Sequence, residues 1–197
     1  MFDFDQTLTF VQSMKSAVRG GEKTMELLEY MNSQGISWYI NTAAGAGAPS
    51  GIAVSTKQLR IPLSPAQIIP NQPPCFRTFK TTSNFFDIKQ SFNGVDVGIC
   101  DNIISAGYNK EYAVDFILQQ PHIKVPTLFI FVDDNAANIR NVWRYFKTTR
   151  PDVHFVGVVY EPAVKPEADH LAELEQLSND PGFQVMSDDA VVPAPAH

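Results

Sequence analysis

The chain is poor in cysteine, in basic charge and in long apolar runs, and each shortage removes a class of protein. Its 197 residues hold two cysteines, Cys75 and Cys100. Two thiols make neither a metal box nor a disulfide framework, so the expectation is a reduced pair in a reducing compartment. Lys and Arg number 15 against 21 Asp and Glu, a net charge of −6 with a pI of about 5.1. Nucleic acid is not expected as a partner, because phosphate-backbone binding needs basic patches. No apolar run approaches the roughly 20 residues that span a bilayer, so no transmembrane segment is expected. The longest run, 125–132, is strand-sized and broken by Pro126 and Thr127. The first charges are the acids Asp3 and Asp5. A basic region followed by an apolar stretch is missing there, so no signal peptide is visible and a cytoplasmic location is expected.

What remains is enough for one domain. Apolar residues make up 44% of the chain, in line with an ordinary folded protein. No internal repeat is visible. Met25, Leu28 and Met31 share one face at helical spacing over 22–33, and Gly35 stops that helix. Residues 36–40 read as a short buried strand, 43–51 as a loop of small residues, and 52–58 as a helix. A proline-rich stretch, 62–74, precedes a β-like pattern over 76–99, where Asn93-Gly94 signals a hairpin turn. Ile103 and Ile104 add a strand, 110–119 a helix, and 127–132 a strand buried on both faces. A helix over 138–147, a strand over 154–160 and a surface helix over 166–178 complete the folded unit, 1–180. The acidic and then Pro/Ala-rich 181–197 reads as a frayed tail. Strands alternating with helices predict an α/β fold, a central parallel sheet flanked by helices, with a small β-hairpin or flap inserted.

In an open parallel sheet, ligands bind at the carboxyl ends of the strands. Three apolar runs end directly in polar groups: Phe2 in Asp3 and Asp5, Ile40 in Asn41 and Thr42, Val132 in Asp133 and Asp134. Asp3 and Asp5, two apart on extended backbone, face the same way. They can hold a metal or divide nucleophile and acid/base roles, although a lone pair also reads as a solvated strand end. Asp133 and Asp134 follow the most apolar run, where uncompensated carboxylates cost stability. A hard cation such as Mg²⁺ would compensate them; so would the free N–H groups of a following helix. Asn138 lies four residues after Asp134. The Thr42 hydroxyl and nearby N–H groups such as that of Ala43 can hold a phosphate oxygen or cap a helix. Lys110 opens a helix, where a lysine opposes the helix dipole unless an anion is near.

The ordered set Asp3-Phe4-Asp5-Gln6-Thr7, Thr42, Lys110, then Asp133-Asp134 with Asn138 resembles the four motifs of the haloacid dehalogenase (HAD) superfamily over residues 2 to about 160. The resemblance implies a Rossmann-like core and a Mg²⁺-dependent phosphatase. Asp3 would be the nucleophile that forms an aspartyl-phosphate, and Asp5 the acid/base whose carbonyl also binds Mg²⁺. Thr42, Ala43 and Lys110 would hold the phosphoryl group. Asp134 would ligate Mg²⁺, with Asp133 as the alternative and Asn138 in support. Members without the second aspartate are usually not phosphatases, so Asp5 favours phosphatase over dehalogenase. The family's first strand usually carries several apolar residues before the nucleophile, and here there are two.

Family members often cover the site with a cap domain. Residues 10–35 leave room for a helix or two, and 43–109 must also supply core elements. The expectation is a capless or small-cap enzyme with an open site, acting on a phosphorylated protein (phosphotyrosine or phosphoserine). A capless member with this fourth motif is similar to protein phosphatases among bacterial effectors, which would place it in a host cell. A small phosphoester metabolite is the alternative substrate, and a HAD-like binding module with a relict site is the non-enzymatic alternative. The oligomeric state is not legible.

Overall fold

The computed structural model is a mixed α/β structure that describes residues 1–9, 18–45, 47–70, 75, 77–80, 96–161 and 183–187. Residues 1–3 run through its middle. Phe2 is bridged in parallel to Ile40 on one side and to Val132 on the other. The N–H of Phe2 donates to the Tyr39 carbonyl and that of Asp3 to the Val132 carbonyl, each at 2.9 Å. Few residues are needed here, because both edges of the segment are bonded.

On one side lie β1 (Ile40–Thr42), β4 (Ile103–Ser105), β3 (Asp96–Cys100) and β2 (Arg77–Lys80), in that order. β1 and β4 are parallel, while β3 is antiparallel to both β4 and β2. On the other side β5 (Leu128–Asp133), β6 (His154–Glu161) and β7 (Phe183–Ser187) are parallel throughout. The expected alternation of helices and parallel strands is therefore present. Antiparallel β2 and β3 match the expected β-like stretch, and the Asn93-Gly94 turn lies outside the described residues.

The helices are α1 (Gly21–Ser33), α2 (Ala48–Gln58), α3 (Lys110–Leu118) and α4 (Ala136–Thr149). They build two apolar cores. Neighbouring strand residues divide between them: Ile40, Cys100 and Ile103 join Leu28 of α1 and Ile52 of α2, whereas Tyr39, Ile99 and Ile104 join α3 and α4. Successive strand side chains point to opposite faces, so the cores lie on opposite sides of the sheet. In α4, Ile139, Val142 and Phe146 recur at helical spacing and are buried. The Phe146 ring meets Phe129 at 4.7 Å and Phe155 at 5.3 Å between centroids. These contacts fix α4, and with it the turn after β5.

Four expectations need correction. The strand expected at 36–40 is reduced to β1 at 40–42. Upstream, the Ile36 N–H donates to Met31 at the end of α1 and the Trp38 N–H to the Ser64 hydroxyl, so this backbone is bonded outside the sheet. β5 is not buried on both faces: Phe129 and Phe131 are buried, but Leu128 is 48% and Ile130 45% exposed. Among the described residues only the α3/α4 side of β5 is covered. Phe183–Ser187 pair with β6 although they fall in the expected tail; the acidic run after them drew that boundary too early. The expected helix at 166–178 lies outside the described residues, and no described helix is long and apolar enough to cross a membrane.

Cys75 and Cys100 form a disulfide, not a reduced pair. The proline-rich stretch returns to the sheet, where the Ile68 N–H donates to Asp101 at 3.1 Å, and this brings Cys75 beside the end of β3. The link closes a loop of 25 residues, which stabilises by about 3.5 kcal/mol through lost unfolded-state entropy. Urea unfolding with and without reductant should show a loss of about that size. An unchanged midpoint would mean the link contributes nothing.

Candidate functional site

The site forms where parallel strands end. Asp3 follows Phe2, Thr42 closes β1, Ser105 closes β4 and Asp133 closes β5. After Asp3 the chain enters a five-residue π-helical turn, Phe4–Leu8, which the Thr9 N–H and hydroxyl close by donating to the Phe4 carbonyl, each at 3.0 Å. Phe4 and Leu8 are buried in the α1/α2 core and anchor this turn. Asp3 is thereby held at the floor while Asp5 stays half-buried.

Lys110, the first residue of α3, is fully buried. Its ammonium contacts the Asp3 carboxylate, lies 2.9 Å from the Asp133 carboxylate and donates to the Asn41 carbonyl at 2.7 Å. The Asn41 amide donates in return to the Lys110 carbonyl at 3.1 Å. The anion that explains a lysine in a helix's first turn is thus a pair of aspartates. Asn138 donates to both Asp133 oxygens, at 3.0 and 3.2 Å, so it supports Asp133, not Asp134. The N-terminus of α4 is capped by Asn135, whose side chain accepts from the Ala137 N–H at 2.9 Å. Helix capping therefore does not account for the adjacent aspartates; Asp133 accepts from the Asn135 N–H but is chiefly tied to Lys110 and Asn138.

Carboxylate oxygens of Asp3, Asp133 and Asp134 lie within 4.8 Å of one another. Three carboxylates against one ammonium leave a formal excess of two negative charges in a largely buried place. Burial pushes the Asp3 carboxyl up to about 8; Lys110 opposes the rise and Asp133 adds to it. Burial, then the charge of Asp133, push Asp134 up to about 6. Burial also raises Asp5. For Lys110, burial disfavours the charge, but Asp3 and Asp133 outweigh it and hold its pKa above the ordinary value. A divalent cation fits this donor set: oxygen ligands only, and negative charge that Lys110 alone does not balance.

Above this floor is a cleft of about 710 Å³, bordered by Asp3, Asp5, Asp134 and Asn138 at its base. Ala43 and Ala44 border it as well, whereas Thr42 is fully buried and its hydroxyl accepts from the Ala44 N–H at 3.2 Å. Thr42 thus shapes the turn that presents Ala43 and Ala44. The expected residues come together at one sheet edge, with Lys110 beneath the floor. Ser105, whose hydroxyl donates to the Ala44 carbonyl, was missed, and Asn41, seen at the end of its strand, was given no role in the site. Ser105 also stands at a strand end, where the carboxyl-end rule would have found it.

A family described as "Protein of unknown function (DUF2608)" matches residues 80–188. The chain belongs to the DUF2608 family. The DUF2608 match spans Lys110, Asp133, Asp134 and Asn138 and begins after Asp3, Asp5 and Thr42. No curated protein and no solved structure matches the chain.

A cation at this site must displace the protons that burial favours. In the cation-free protein, the stability that Asp3 gains by holding its proton is complete below its ordinary value of 3.8 and is lost as pH rises through about 8. For Asp134 the loss is complete at about 6. The rise in melting temperature on adding Mg²⁺ should therefore grow from about pH 5.5 to about pH 8.5. A rise that is flat or shrinks over this range would contradict cation binding by these carboxylates.

Proposed function

We propose that the protein is a Mg²⁺-dependent phosphomonoester hydrolase of the HAD type, working through an aspartyl-phosphate on Asp3. The observation that carries this reading is the Lys110 bridge between Asp3 and Asp133, with Asp134 alongside. It joins residues 107 positions apart in one buried contact, and it unites the residues of three of the four HAD-like motifs.

Asp3 attacks phosphorus through a carboxylate oxygen, and the bond from phosphorus to the leaving oxygen breaks. Asp5 donates its proton to that oxygen, and burial, which raises its pKa, favours its carrying one. The Asp5 carboxylate then takes a proton from water. That water attacks phosphorus, which releases phosphate and restores Asp3. Lys110 offsets the repulsion between Asp3 and the phosphoryl oxygens, and Asn138 holds Asp133 in line. Asp3, Asp134 and the Asp5 carbonyl would hold Mg²⁺, with Asp133 as the alternative to Asp134. The ion supplies positive charge against the phosphoryl oxygens and keeps Asp3 ionised.

The substrate is a phosphorylated protein. Between Thr9 and β1 the described residues supply one helix, α1, and no large cap, and α2 borders the cleft through small residues such as Ala48 and Gly51; a site without a large cap admits a polypeptide. If the chain works as a bacterial effector, that protein belongs to a host cell.

Asp3→Asn should abolish hydrolysis across a panel of phosphotyrosine peptides, phosphoserine peptides and sugar phosphates, while the circular dichroism spectrum stays native. Asp5→Asn should lower kcat by roughly 10²- to 10⁴-fold. Turnover by the Asp3 variant would reject Asp3 as the nucleophile. Turnover of sugar phosphates alone would reject the protein substrate.

A further inference from the structure

We propose that the cleft accepts aryl phosphomonoesters, of which the phosphotyrosine side chain is one, and that Tyr108 is the specificity-determining residue that holds the leaving ring. This rests on the phosphatase reading above.

Three observations carry it. The first is Tyr108. It borders the cleft and is 82% exposed, although a large aromatic face in water is costly. The backbone around it is held. Gly107 adopts φ +61°, a left-handed conformation natural to glycine, and its N–H donates to the Ser105 hydroxyl at 3.3 Å. The Asn109 N–H closes the turn onto Ala106 at 3.3 Å. The backbone that carries Tyr108 is thus held two residues before Lys110, and its ring lies exposed beside the cleft.

The second observation is the wall built by the loop after β1 and the start of α2. Ala43, Ala44, Gly47, Ala48 and Gly51 border the cleft with at most a methyl group each, and Ile52 adds an apolar side chain. Such a surface is smooth and suits a flat ring. Ser50 and Ser55 border it too, but their hydroxyls donate to the Gly47 and Gly51 carbonyls at 3.0 and 3.2 Å, so this wall offers few free donors to the many hydroxyls of a sugar, each of which loses water on entry.

The third is charge and depth. The charged side chains among the described residues bordering the cleft are Asp3, Asp5 and Asp134, all acids. A second anionic group on the leaving portion would be repelled. Asp3 is 5% exposed at the floor, far below Tyr108 in accessibility. A phosphate carried on a long flat arm reaches that floor while the polypeptide stays at the rim; one on a short serine arm must draw the backbone in.

The test is kcat/KM of the full chain with Mg²⁺ on a phosphotyrosine peptide and on β-glycerophosphate, for the wild type, Tyr108→Ala and Tyr108→Phe. The wild type should favour the aryl ester. Tyr108→Ala should lower the aryl-to-alkyl ratio by about five- to tenfold, as loss of one ring–ring contact does, and Tyr108→Phe should keep the ratio. Comparing ratios between variants cancels the intrinsic ease with which aryl esters depart. An unchanged ratio in Tyr108→Ala would overturn the assignment, as would a wild type that prefers β-glycerophosphate; either result leaves the phosphatase reading standing. Hydrolysis of neither ester would remove both.

Discussion

A single buried ammonium holds this site together. Lys110 sits between the carboxylates of Asp3 and Asp133 and against the carbonyl of Asn41. Those four residues come from residues 1–3, β1, α3 and β5, so one charge ties together the central segment, both neighbouring strands and a helix. Buried charges persist only when paired. Removing Lys110 costs about 3–5 kcal/mol, because the aspartates left behind are uncompensated, whereas without the Asp3 charge the ammonium still has Asp133. The bridge is therefore a constraint on the fold as well as on the chemistry. It holds Asp3 at the mouth of the sheet, where its other oxygen can face the cleft.

The same bridge leaves the site short of positive charge. Asp134 brings a third carboxylate within 4.8 Å, and burial raises the Asp3 carboxyl to about 8. A protein that gained only stability from this cluster would do better with fewer acids or more cations. The proposed cation-binding role would account for the excess, since a divalent ion would favour the ionised carboxylates that burial alone disfavours.

Much of this was legible in the sequence. Met25, Leu28 and Met31 marked α1, and the apolar run before Asp133 marked β5. The aspartates were visible because they directly follow apolar runs, where charge demands a reason. What the sequence hid was long-range pairing. Nothing local shows that Lys110 lies beneath Asp3, that the Asn41 carbonyl receives its ammonium, or that Cys75 returns to Cys100. Such contacts depend on how separate elements dock. Phe183–Ser187 were misplaced for a related reason: a parallel edge strand is fixed by β6, not by any turn of its own, and its acidic flank resembles a solvated tail. Leu128 and Ile130 were expected to be buried because periodicity reports apolar content, not which side of a sheet is covered.

In the proposed reaction Asp3 carries the phosphoryl group between substrate and water. Acid-quenching the protein during turnover of a phosphotyrosine peptide with Mg²⁺, then mapping the digest by mass spectrometry, tests it most directly. A phosphoryl adduct on the peptide containing Asp3, missing when Asp3→Asn is quenched in the same way, is the predicted result. An adduct on a different residue, or turnover of the wild type with no adduct on that peptide at any quench time, would contradict it.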